Sequence, residues 1–162
     1  MADARFEDGD EGPLNLLGQS PEDLTVMASL LQDAVLPASE MKYDRKRRRF
    51  AALVNRFRWE DAQAAERAGR PFERVRSLLT VDDVLEVRSQ GITPGDADQV
   101  LSLLDLTWIA GEDGTGRLQL ILAGDGVIEL AVEVMDITLR DVTKPYLAPS
   151  RKKPDHGDGA GA

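Results

Sequence analysis

From Leu118 to Val134 the chain alternates, and that rhythm limits its fold more than any other feature of the sequence. Leu118, Leu120 and Leu122 are separated by polar or small residues. Ile128, Leu130, Val132 and Val134 alternate with Glu129, Ala131 and Glu133. A period of two puts successive side chains on opposite faces of a pleated strand, so one face of this hairpin is apolar and the other wet. The phase also bears on the turn. A two-residue loop at Asp125-Gly126 sets Leu122 opposite Glu129 and mixes the faces. A three-residue loop, Gly124-Asp125-Gly126, sets Leu122 opposite Ile128 and Leu120 opposite Leu130, which keeps the leucine face whole. The three-residue loop is therefore the expectation.

The same period runs through most of the chain. Leu14–Leu17 reads as a short edge strand. Leu36–Asp44 and Arg49–Trp59 read as a hairpin around the polar turn Arg45–Arg48, with Tyr43 opposite Phe50 and Met41 opposite Ala52. Arg74–Val81 alternates, Asp82-Asp83 breaks the phase and Val84–Arg88 resumes it, as a bulged strand or two short ones do. Gly91–Asp98 is a loop, Leu101–Ile109 a strand and Gly111–Gly116 a turn. Asp136–Asp141 continues as strand or turn, and Thr143–Tyr146 closes the fold. One helix start is well marked. Ser20 suits the cap, Pro21 the first helical position and Asp23 the capping-box acid, and Leu24, Met27, Ala28 and Leu31 follow at helical spacing. That helix is expected to end near Asp33. Asp61–Gly69 is Ala-rich and polar, a helical turn or excursion. Ser77–Arg88 and Ile128–Arg140 share a rhythm of alternation, interruption and alternation, which suggests a pseudo-repeat of two three-stranded units. The expected fold is α+β and mainly antiparallel, with six to eight strands in a sandwich or partial barrel and one N-terminal helix.

Length and composition fit one domain over 13–147, between an acidic segment 1–12 and a tail 148–162 that both read as disordered. No apolar run approaches the roughly 20 residues that span a bilayer, and the acidic start lacks the basic and apolar parts of a secretory signal. There is no cysteine, which removes disulfides, thiolate nucleophiles and the usual zinc sites. A cytoplasmic location, with no membrane association, is the simplest expectation. The formal net charge is −9, which disfavours nucleic acid as a general partner. Yet Met41–Arg76 holds 12 Lys/Arg against 5 Asp/Glu, a net of +7, and leaves −16 for the remainder.

The residues assign no catalytic group, cofactor or metal site. The only histidine, His156, lies in the tail, and a catalytic imidazole must be held in place. No glycine-rich phosphate loop follows a strand. Asp82-Asp83 and Asp96/Asp98 are carboxylate pairs without a second matching cluster, so they read as bulge and surface. Alternation puts Asn55, Phe57 and Trp59 on one face and Arg56 and Arg58 on the other. Arg56 and Arg58, with Arg45, Arg47, Arg48 and Arg49 at the hairpin tip, then form a basic strip, unless Arg56 and Arg58 are taken up by intramolecular salt bridges to the chain's many acids. Forked guanidinium groups grip carboxylates or phosphates. The expectation is a non-enzymatic protein-binding or adaptor module with an acidic partner. RNA binding through the same residues, or an enzyme of unrecognised type using acids such as Asp82, Asp83 or Asp141 with an arginine, is the alternative. The Leu14–Leu17 edge offers a route to a homodimer.

Several stretches together resemble a known family. Leu31-Gln32-Asp33-Ala34-Val35, Arg48-Arg49-Phe50, Asn55–Glu60 and Val87–Ile92 are similar to a bacterial domain of unknown function, number 2948. So are Leu120–Gly124, Ile128–Leu130, Val132-Glu133 and Leu139–Val142. The resemblance covers roughly 13–147 in order. It implies a small cytoplasmic bacterial protein and carries no activity, cofactor or catalytic residue.

Overall fold

The computed structural model describes residues 12–93, 96–148 and 154. The expectations for 1–11, Pro94-Gly95 and most of the tail, His156 included, lie outside the described residues.

Strand β1 (Asn15–Gly18) leads into helix α1 (Pro21–Leu31). The Ser20 side chain accepts from the Asp23 N–H at 3.2 Å and the Asp23 carboxylate accepts from the Gln19 N–H at 3.0 Å, a reciprocal cap that satisfies amides at the helix start. Leu24, Met27, Leu30 and Leu31 are buried and pack chiefly on β1 and β7. Asp33, in a left-handed conformation (φ 64°), turns the chain into β2 (Ala34–Pro37). A single 3-10 turn at Ala38–Glu40 separates β2 from β3 (Met41–Asp44). The expected strand Leu36–Asp44 is thus two strands, because β2 reaches across to β7 while β3 stays on β4.

Strand β4 (Arg49–Phe57) pairs with β3 through Tyr43–Phe50 and Met41–Ala52, the register the sequence suggests. It stops two residues short of Trp59, which instead opens a second helix, α2 (Trp59–Ala68), ended by left-handed Gly69 (φ 66°). Strands β5 (Glu73–Val81), β6 (Val84–Gln90), β7 (Val100–Ala110), β8 (Gly116–Leu122), β9 (Val127–Val132), β10 (Ile137–Asp141) and β11 (Tyr146–Leu147) follow. The described strands number eleven, more than the six to eight expected. They join in one open sheet of order β1-β10-β5-β4-β2-β7-β8-β9-β6, with β11 on β5 and β3 on β4. The fold is α+β and mainly antiparallel, with two helices rather than one.

The two stretches of similar rhythm are each other's neighbours. β5 pairs with β10 and β6 with β9, so Ser77–Arg88 runs beside Ile128–Arg140. Both break at the same place, where Asp82 N–H reaches Asp136 O and Glu133 N–H reaches Asp83 O, each at 3.0 Å. The last hairpin keeps its leucine face but not the expected register. Leu120 stands opposite Ile128 and Leu118 opposite Leu130. Leu122 donates to Gly126 O at 2.9 Å, so the loop is Ala123-Gly124-Asp125, three residues long but one position early. Gly126 is drawn into the ladder because Gly91 approaches it closely, a Cβ on Gly91 lying only 2.7 Å from Gly126 Cα. The left-handed positions then fall on Gly124 (φ 79°) and Asp125 (φ 66°), and aspartate tolerates that region better than most residues. A shift of two preserves which side chains face inward.

Candidate functional site

The six arginines expected to form one strip occupy two different environments. Phe50, Ala52, Val54 and Arg56 share the buried face of β4, and Arg56 is fully inaccessible. Its guanidinium meets the Glu60 carboxylate as a fork, Nη1–Oε1 at 2.9 Å and Nη2–Oε2 at 2.7 Å. Nη2 also donates to Asp141 Oδ1 at 3.0 Å, and Nε donates to Ser77 Oγ at 2.9 Å. Ser77 passes its own hydroxyl hydrogen to Asp141 at 2.7 Å, and the second Asp141 oxygen accepts from Leu14 N at 2.9 Å. Burial by itself lowers the Arg56 pKa. The Glu60 bonds and the charges of Glu60 and Asp141 outweigh it, so the guanidinium is held above its ordinary value.

Arg58 is also buried, just ahead of α2. It donates to Glu73 at 2.5 Å and lies 3.8 Å from both Glu60 and Asp61, while Arg70 forks onto Asp61 at 3.0 and 3.2 Å. Arg56 and Arg58 therefore clasp α2, β5 and β10 to β4 and present no solvent strip. The physical reason is parity: Arg56 is in phase with three apolar residues. A long cation can be buried when carboxylates satisfy its hydrogens. The sequence reading missed Glu60 and Ser77, and it placed Asp141 with an arginine only as part of an unrecognised enzyme. The Arg56 phase was the available signal for burial, whereas Asp141 comes from 85 residues away.

The remaining arginines do share one surface, the four-residue β3–β4 turn. Asp44 pairs with Arg49 in the ladder, and Arg48 closes the turn in a left-handed conformation (φ 53°). Arg49 is tied to Asp82 at 2.7 Å, which raises its pKa. Arg48 is tied to Glu133, and Arg47 lies 3.9 Å from Asp44. Arg45 and Lys46 are exposed at the apex, and neither has an acid within ion-pair distance among the described residues. The carboxylate pair Asp82-Asp83 serves the bend, with Asp83 left-handed (φ 58°). Asp136 beside them is pushed above the ordinary carboxylate range by burial first, then by the charges of Asp82 and Asp83. Among the described residues no group of three or more His, Cys, Asp or Glu side chains has the arrangement of a metal site.

Beside the tip lies an apolar groove of about 420 Å³ between β3 and β6. Its wall includes Phe50 and Ile128, which belong to the main core, and Met41, Tyr43, Val87 and Ile92, which are half-buried against it. Lys42, Ser39, Ser89 and Asp96 lie along its lips. At one end Tyr43 Oη donates to Val84 O and Val84 N–H to Arg48 O, each at 2.8 Å.

A family described as Protein of unknown function (DUF2948) matches residues 14–156, nearly the whole of the described chain. The chain belongs to this family. No curated protein and no solved structure matches it. In this DUF2948 chain the buried arginine cluster lies within the matched span, and so do the basic tip and the groove.

Proposed function

We propose that this protein is a non-enzymatic binding module, cytoplasmic in location, whose partner is an acidic protein segment. The observation that carries the reading is the exposed pair Arg45 and Lys46, with no internal acid against either, next to an apolar groove. The rest of the tip is neutralised from within by Asp44, Asp82 and Glu133. What remains is a short cationic apex rather than a long strip. Unpaired cations beside exposed apolar surface complement a carboxylate-rich segment with aliphatic side chains. The sheet order supports a partial barrel left open between β3 and β6, since β6 ends the order and β3 hangs off β4.

Affinity capture from the native host, read by mass spectrometry, tests the proposal. Wild type is expected to enrich one or a few acidic proteins. An Arg45→Glu/Lys46→Glu variant that keeps the wild-type melting temperature is expected to lose them. Equal recovery of every protein by both forms rejects the basic apex. Recovery that is lost on adding RNase points to RNA instead.

A further inference from the structure

Building on that acidic-partner reading, we infer that the groove is the seat of a missing strand: a partner segment enters it in extended form and pairs with the edge of β6. Three observations lead there. First, β6 ends the strand order with β9 on one side only, and most of its seven residues are exposed. An unpaired strand edge presents a row of amide hydrogens and carbonyls, and proteins usually cover or blunt such edges.

Second, the space beyond that edge is a slot rather than open solvent. β3 forms the facing wall, paired with β4 on its other side. The Tyr43 side chain has to span the seam to reach Val84 O, so the gap there is wider than the roughly 4.8 Å between paired strands. Val84 closes one end. The other end is closed where Ala38 N–H meets Gln99 O and Ser39 N–H meets Ala97 O, each at 2.8 Å. Between those ends β3 offers a four-residue wall, about 13 Å at the rise of an extended chain. The core residues Phe50 and Ile128 are reached through it. Alternate side chains of an inserted segment would enter this apolar floor while its backbone bonds to β6, the mode of strand addition.

Third, charge selects the occupant. Lys42 on the lip and Arg45 and Lys46 past the Val84 end are exposed, with no acid within ion-pair distance among the described residues, while the acid of the lips, Asp96, lies toward the other end, so the positive charge is on the Val84 side. The entering segment therefore has aliphatic residues at alternate positions in the slot and carboxylates where it turns out of the slot over the Val84 end, toward the basic apex. The basic apex supplies attraction and direction, and the slot supplies register.

Selection from a random dodecapeptide library on the full chain tests the inference. Two variants fill the slot from opposite lips, Ser89→Trp and Ser39→Trp, and whichever keeps the wild-type melting temperature is used. The expected pool alternates aliphatic residues beside acids. A labelled member should bind at least tenfold more weakly to the slot-filled variant and to Arg45→Glu/Lys46→Glu, and should lose binding when a proline replaces a central residue. Equal binding to wild type and the slot-filled variant, or no enrichment, overturns the strand seat. If the host proteins are still lost with the apex variant, the basic-apex reading survives that failure. Displacement of the labelled peptide by a synthetic copy of residues 1–12 of this chain would make the occupant internal and overturn the partner.

Discussion

Arg56 decides how the interior of this protein is organised. Its charge is shared between Glu60 and Asp141, and its Nε is taken by Ser77. Truncation removes the cation that two buried carboxylates share, leaving Asp141 with none in ion-pair distance among the described residues and Glu60 with only Arg58, at 3.8 Å. Arg56→Ala is therefore expected to cost about 3–5 kcal/mol in urea unfolding. An Arg56→Ala/Glu60→Ala double variant should lose less than the two single losses added, because the second truncation removes one orphaned charge. Asp136 gives a prediction of opposite sign. Its folded-state pKa is raised, so the group favours folding most when protonated, below the unfolded value. That contribution disappears as pH climbs through the folded value. Asp136→Asn should raise the melting temperature at neutral pH, and the gain should shrink as pH falls toward the ordinary aspartate value of about 4 and be gone below it. A melting-temperature difference that does not change between pH 7 and pH 3 would contradict the assignment.

At the scale of elements, local chemistry and distant contacts divide the work. The α1 cap is local: Ser20, Pro21 and Asp23 mark the start from sequence, and the structure has the helix begin there. Ser20→Ala should cost about 1 kcal/mol, visible as a fall of a few degrees in melting temperature. Gly116 is needed for a non-local reason. A Cβ there would lie 2.3 Å from the Trp108 ring, which covers the glycine from the neighbouring strand. Gly116→Ala should destabilise by about 1–3 kcal/mol through overpacking, and Trp108→Leu should relieve much of that cost. Trp59 illustrates a boundary that alternation alone misplaces. It extends the period of β4, yet it opens α2, where its indole N–H reaches Gln32 O at 3.0 Å and its ring meets Phe57 edge-on at 4.6 Å.

For the whole molecule, the uneven charge has two outcomes that the sequence count merges. Part of the basic stretch turns inward as Arg56 and Arg58, joined from the surface by Arg70, against four acids, Glu60, Asp61, Glu73 and Asp141. Among the described residues of that stretch, the apex of the β3–β4 turn keeps two adjacent exposed cations with no acid against them, and Lys42, Arg67 and Arg76 are single exposed cations of the same kind. Binding through so small a patch should be strongly screened. Raising salt from about 0.1 to 0.5 M is expected to weaken partner affinity by roughly tenfold, and an unchanged affinity would speak against the apex as the contact. No helix among the described residues is long and apolar enough to cross a membrane.

Periodicity by itself determined the class of this fold, its antiparallel hairpins and the Tyr43–Phe50 register, since pleating and cross-strand pairing follow from neighbours a few residues apart. It also determined that Arg45–Arg49 would crowd one turn. Only the tertiary structure decided that Arg56 is interior, because Asp141 and Ser77 arrive from β10 and β5, and that the final loop slips by one residue, because Gly91 presses on Gly126. The groove likewise exists only once β3 and β6 stand across from each other. Contacts between segments distant in the chain carry no signature in local pattern; they arise when the sheet has curled and charges must find partners away from water.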